Sequence, residues 1–180
     1  LYEAYARRIN DINSKVATSA LECSESIFEN TGKYLNDATG VQAALIKAHA
    51  AQLSTKSETI KRLTIESLEN MIEYFDNSAL IQPFSMATKA ANIKQKPEML
   101  PFLADICDNA YRTKSKTVHM SALPVLWDIM KGNQTGDTAM RKATAAYAQS
   151  LSNTMGRKTF EDEVNRNLNS DQARKLIDWL

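Results

Sequence analysis

The sequence predicts an all-α chain built as a linear stack of antiparallel helix pairs, and three observations carry that expectation. Only five glycines and four prolines occur in 180 residues, too few for the many tight turns a sheet protein needs. Apolar residues recur at three- and four-residue spacing, the period of one helix face. A polar turn followed by a helix opening returns at intervals of about forty residues.

The repeat is read from four segments, at 11–21, 55–65, 94–103 and 135–145. Taking Val16, Ile60, Met99 and Met140 as equivalent first apolar positions gives spacings of 44, 39 and 41 residues. HEAT and armadillo units repeat at roughly 40–47 residues, each a pair of helices that buries its apolar face only by stacking on its neighbours. The predicted fold class is therefore a HEAT-repeat alpha solenoid.

The elements come in order. Residues 1–10 read as a helix, and the next helix opens at Val16 with Ala20, Cys23 and Ile27 as its apolar face. A helix over 37–53 carries Val41, Leu45, Ile46 and His49, and its partner carries Ile60, Leu63, Leu68, Ile72 and Phe75. The third pair has Leu80, Phe84 and Ala87 over 79–91, then a helix opened by Pro97, whose missing N–H costs nothing in a first turn. The fourth has Val118, Ala122, Val125, Leu126 and Ile129 over 117–130, then Met140, Ala143, Tyr147 and Leu151. Pro124 either kinks its helix or marks that helix's start. Gly136-Asp137 breaks one helix and caps the next, and Gly32 and Gly156 read as glycines just past helix ends. A closing helix runs from Ser170 as N-cap through Ala173, Leu176, Ile177 and Leu180. The loosest connection is 32–40.

Composition limits the chemistry. The net charge of +1 gives no global field toward nucleic acid or an anionic membrane, so an electrostatic partner must be met by a local patch. No apolar run approaches the roughly 20 residues that span a bilayer. Cys23 and Cys107, far apart in a helical chain, read as two reduced core thiols of a cytoplasmic protein. His49 and His119 stand alone, without metal-ligand or nucleophile spacing around them, and read as core or interface residues. Walker, GxGxxG, GxSxG and EF-hand patterns are absent. The expectation is no enzyme, no catalytic or metal-binding residue and no cofactor. Trp127, with Leu123, Leu126 and Met130, reads as core. Trp179 and Leu180 either cover the end of the stack or dock onto a continuation.

The turn edge is where a stack of pairs can bind. Each turn carries cations: Lys15; Lys56 with Lys61 and Arg62; Lys94 and Lys96; Arg141 and Lys142. Several sit in a helix's first turn, where the macrodipole disfavours positive charge by some tenths of a kcal/mol. Two readings stay open. The cations dock on an acidic partner, or they bond the aspartates of neighbouring turns, with Asp11 and Asp137 as the rungs.

The pattern resembles TOG and TOG-like domains, above all those of the CLASP (cytoplasmic linker-associated protein) microtubule regulators. Ala122-Leu-Pro-Val-Leu-Trp-Asp-Ile-Met130 resembles the helix before the family's fifth turn. Gln134-Thr-Gly-Asp-Thr-Ala-Met-Arg-Lys-Ala143 resembles the turn and helix opening that come after it. Leu168-Asn-Ser-Asp-Gln-Ala-Arg-Lys-Leu176 resembles the closing helix, and Lys94-Gln-Lys-Pro97 the fourth turn. The resemblance implies a paddle-shaped domain over residues 1–180 that lacks its first repeat. It implies a protein of the microtubule cytoskeleton and spindle, binding tubulin through Asn13, Ser14, Lys15, Lys56, Ser57, Lys94, Lys96 and Arg141. The aromatic or apolar first-turn residue of tubulin-binding members would then precede Leu1. The alternatives are a C-terminal TOG-like domain that does not grip tubulin and a generic HEAT scaffold. The former recruits adaptor proteins at the kinetochore, Golgi or cortex and can dimerise through a terminal face. An open apolar patch near Trp179, or at Tyr2, Tyr5 and Ile9, would favour the adaptor.

Overall fold

The computed structural model describes residues 1–34 and 39–180, and none of them lies in a β-strand. The helices are α1 Tyr2–Ile9, α2 Ser14–Glu22, α3 Ser24–Thr31, α4 Thr39–Gln52, α5 Glu58–Tyr74 and α6 Asn77–Ala90. They continue as α7 Lys96–Thr117, a π turn at Val118–Ala122, α8 Leu123–Lys131, α9 Thr138–Met155, α10 Arg157–Asn167 and α11 Ser170–Ile177. First helices pack on first helices, α1 on α4, α4 on α6, and α6 on the π turn and α8. Second helices do the same, α2 and α3 on α5, α5 on α7, and α7 on α9. This is the two-layer stack of a HEAT-type solenoid, with one core running between the layers.

N-caps set where the second helices begin. Asn13 accepts from the Lys15 N–H at 3.0 Å, Ser57 from Ile60 at 3.4 Å and Asp137 from Met140 at 3.0 Å. Asn169 accepts from Gln172 in a reciprocal capping box, so Asn169 is the cap, and Ser170, the expected one, is the first helical residue. Pro97 lies in the first turn of α7, as expected.

Pro124 marks a start. It lies in the first turn of α8, directly after the π turn. Without an N–H it cannot bond the carbonyl four residues back, and the register slips there. The buried Tyr147 hydroxyl donates to the Ala122 carbonyl at 3.0 Å and ties this distorted turn to α9. The kink between the body of α7 and the π turn falls inside α7, at Lys114 with φ −133° and ψ 38°.

Three further expectations are corrected. The buried face of the second helix is centred on Ala17, Leu21, Ser24 and Phe28; of the expected Val16, Ala20, Cys23 and Ile27, Ala20 and Ile27 pack only partly buried against the core and Cys23 is exposed. The helix is interrupted at Cys23, which ends α2 and begins α3. Cys23 is consequently exposed, while Cys107 is buried; both are free thiols. Gly32 does not have the left-handed backbone of a glycine past a helix end; its φ is −56°. It is needed because a Cβ there would stand 2.7 Å from the Tyr74 carbonyl oxygen. Gly156, with φ 85°, does take the left-handed side. Finally, α10 is a helix that the apolar periodicity does not predict, and it pairs with α11 at the end of the stack. Of the loose connection expected at 32–40, residues 35–38 lie outside the described ones.

Candidate functional site

The turn within each helix pair lies on one edge, and side chains tie each turn to the next. Gln52 Nε2 donates to Asn10 Oδ1 at 2.7 Å, joining the first and second turns. Gln95 Nε2 donates to Ser54 Oγ at 3.4 Å, and Lys61 pairs with Glu98 at 2.8 Å, joining the second to the third. Lys96 Nζ donates to Gln134 Oε1 at 3.0 Å, and Lys175 Nζ to Thr135 Oγ1 at 2.9 Å. The edge is a pre-aligned row, with neighbouring helices spaced about 8–10 Å apart.

The expected aspartate rungs are not how this row is held. Asp11 accepts from Arg8 at 2.9 Å and from the Asn13 N–H at 3.0 Å, both local, and Asp137 is spent on its own helix cap. The amides of Gln52 and Gln95 and the ammonium groups of Lys61, Lys96 and Lys175 do the bridging instead, because these long side chains reach across a step where the short aspartates are already committed.

The eight residues nominated on this edge separate by what they touch. Asn13 and Ser57 use their side-chain oxygens as caps, and Ser14 is exposed at the first position of α2. Lys96 is half-buried against Gln134, and desolvation lowers its pKa. Lys15, Lys56, Lys94 and Arg141 are exposed, and their side chains have no partner among the described residues. Of the other turn cations, Arg62 pairs with Glu66 and Lys61 with Glu98.

Two residues on the edge are not predicted by helical periodicity. Ile12 is 104% exposed at the tip of the first turn, and Ile93 is 48% exposed at the tip of the third. Both fall in turns, outside any helix face; an apolar residue directly after an Asp or Asn, as in Asp11-Ile12 and Asn92-Ile93, was the available signal.

The remaining chemistry is internal. His49 is fully buried; its Nδ1–H donates to the Leu45 carbonyl at 2.7 Å and its Nε2 accepts from Ser67 Oγ at 2.8 Å. The Tyr5 hydroxyl completes the chain to Ser67 at 3.3 Å. Burial lowers the His49 pKa to about 4, so the ring is a neutral core group. Burial likewise raises the Cys107 thiol to about 12, which holds it protonated and unreactive. Among the described residues no three His, Cys, Asp or Glu side chains are grouped to hold a metal ion, and no helix is long and apolar enough to cross a membrane.

On the first-helix layer, a groove of about 640 Å³ runs between α4 and α6, lined by Ala43, Ala50, Pro83, Met86 and Ala87, with Lys47 its one charged side chain among the described residues. The patches that would have favoured an adaptor are largely closed. Tyr5 and Ile9 are buried, and Trp179 is half-buried, with the Lys175 ammonium 5.5 Å from its ring centre.

Fold and edge together define a HEAT-type stack that presents a row of cations on its turns. No family model matches the chain. It is 33% identical over 179 residues to Crescerin-like protein che-12 of Caenorhabditis elegans, covering 98% of this chain and 14% of that protein. It is 28% identical over 163 residues to TOG array regulator of axonemal microtubules protein 1 of Homo sapiens, covering 87% of this chain and 9% of that protein. The Mus musculus protein of the same name matches to the same extent. The chain thus spans a seventh or less of the length of these relatives. The similarity supports a TOG-like domain, the coarser level of the resemblance seen in the sequence.

Proposed function

We propose that the 180 residues act as one TOG-like unit that binds tubulin through the turn edge and thereby regulates microtubules. The observation that carries this reading is the row of Lys15, Lys56, Lys94 and Arg141, exposed and unpaired among the described residues, on turns held in register. Such a row offers an acidic protein surface a fixed pattern of charge at little ordering cost. The human and mouse relatives are named for axonemal microtubules, which favours the axonemal cytoskeleton over the spindle and kinetochore setting of the CLASP reading. In this role the chain is a non-enzymatic scaffold without a cofactor.

The test is size-exclusion chromatography with unpolymerised tubulin. Co-elution is expected at low salt and should weaken as salt shortens the screening length. Lys56→Glu combined with Lys94→Glu is expected to weaken binding about tenfold or more, with helix content unchanged. Undiminished binding by that double variant would remove the edge as the tubulin site. Lys96 is a poor choice for this test, because its bond to Gln134 holds the third turn to the fourth.

The groove between α4 and α6 favours a second reading, an adaptor-binding TOG-like domain. Its alanine lining admits the apolar side of a partner helix, and Lys47 suits a carboxylate on that helix. Under this reading the chain does not co-elute with tubulin, and Met86→Asp abolishes capture of a microtubule-associated adaptor. Capture that survives Met86→Asp rejects it.

A further inference from the structure

We infer that the edge opposite the turns docks on an anionic lipid surface, through a braced basic projection at the end of α7 that presents Arg112, Lys114, Lys116 and Met120. This does not depend on the tubulin reading, and it leaves the turn edge free.

α7 begins at Lys96, on the turn edge, and its 22 residues carry the chain across the stack to the far edge. There residues 112–116 are exposed without interruption, between the buried Ala110 and Val118. A helix lying on a core turns a residue inward at every third or fourth position, so five exposed in succession stand off the body of the stack. The non-helical backbone at Lys114 and the π turn after it account for the departure. The projection is braced at its base. The rings of Tyr111 and His119 stack at 6.2 Å between centres, with the Tyr111 hydroxyl 3.4 Å from His119 Nε2. The Thr113 hydroxyl donates to the Ala110 carbonyl at 3.1 Å and stands 3.3 Å from Ser78 Oγ on α6.

Charge on this projection is of one sign. No carboxylate occurs in the sequence between Asp108 and Asp128. Arg112, Lys114 and Lys116 have no partner among the described residues. Carboxylates on the adjoining elements are engaged elsewhere. Asp76 caps α6, Asp108 accepts from Thr154 Oγ1 at 2.7 Å, and Glu163 pairs with Arg166 at 2.6 Å. Beside the cations, in the π turn, Met120 is 68% exposed.

Cations beside an exposed apolar side chain, on a segment that projects, match the interface of a bilayer. The Lys and Arg stems lie along the headgroup layer with their charges on phosphate and carboxylate groups, and the thioether enters the acyl boundary. An acidic peptide would meet the cations and leave Met120 in water, and it is normally held in a groove, which a projection does not supply. Each Lys or Arg near an anionic leaflet strengthens binding about fivefold. Three cations and one methionine therefore make a reversible contact and not an anchor.

The experiment is co-flotation of the chain with phosphatidylserine-rich vesicles and with pure phosphatidylcholine vesicles, at millimolar lipid and over a range of salt. Wild type is expected to float with the first and not with the second, and less so as salt rises. Lys114→Ala combined with Lys116→Ala should weaken partitioning about 25-fold. Met120→Ser should weaken it about threefold and leave the salt dependence unchanged. Lys56→Ala combined with Lys94→Ala removes as much charge from the turn edge and should leave partitioning as in wild type. All five side chains are exposed, so the thermal midpoint serves as a control and should not fall. Wild type that does not float with phosphatidylserine overturns the proposal, as does equal loss in the two lysine pairs. Polyglutamate is titrated in parallel. Polyglutamate binding that depends on Lys114 and Lys116, together with vesicle partitioning indifferent to Met120→Ser, makes the projection an acidic-peptide site and overturns the lipid assignment. Tubulin co-elution is a separate measurement, so either reading can fail while the other stands.

Discussion

Replacing Phe28 with alanine is expected to cost about 3–5 kcal/mol of folding stability, the range for emptying a large ring from a packed core. Phe28 is fully buried, 5.1 Å from the Phe75 ring and 5.7 Å from Tyr5, both edge-on, and 6.4 Å from Tyr2. These rings come from α1, α3 and the end of α5, so one side chain joins three elements. The site cannot readily collapse, because Gly32 already lets the backbone touch Tyr74 and Phe75. The damage should reach the candidate site, since α1 and α2 hold the turn that carries Ile12 and Lys15. Urea unfolding of wild type and Phe28→Ala checks the figure. A loss under about 1 kcal/mol would mean the cluster is not the keystone of this end of the stack.

Acid should destabilise the protein through His49. Its folded pKa of about 4 lies below the unfolded value of 6.5, so the unfolded chain takes up the proton first. The neutral ring's contribution is complete above about pH 6.5, declines as pH falls toward 4, and levels off below that. A separation of this size corresponds to about 3 kcal/mol lost between pH 7 and pH 4. Carboxylates titrate in the same window, so the informative quantity is the difference from His49→Gln, which keeps an acceptor for Ser67 and cannot ionise there. Wild type should lose about 3 kcal/mol more than the variant over that interval. Parallel profiles for the two proteins would show that His49 is solvated or mobile in solution.

Much of the architecture is legible in the sequence. Ile60, Met99 and Met140 are buried at equivalent positions, and the forty-residue period they mark needs only local helix pattern and turn chemistry to be seen. Lys15, Lys56, Lys94 and Arg141 are legible in the same way, because a turn's place in a repeat fixes the edge on which its side chains stand. α10 is not, since Phe160 and Val164 are the only apolar residues along its length and two contacts do not make a periodic pattern. The buried face of α2 and α3 lies one residue on from the expected one on both sides of the break at Cys23, at Ala17 and Leu21 before it and Ser24 and Phe28 after it, an offset the local pattern does not fix.

Helices, their pairing and the cationic turns are all written in spacings within about forty residues, so the chain specifies them locally. Which cations remain free is a matter of tertiary packing. Lys61 and Lys96 look like Lys56 and Lys94 in the chain, yet partners 37 and 38 residues away claim them. Side-chain pairing between repeats depends on how neighbouring units stack, and distances across that interface are not encoded in any local pattern. The same holds for Ile12 and Ile93, whose shared exposure becomes meaningful once stacking sets their turns on one line.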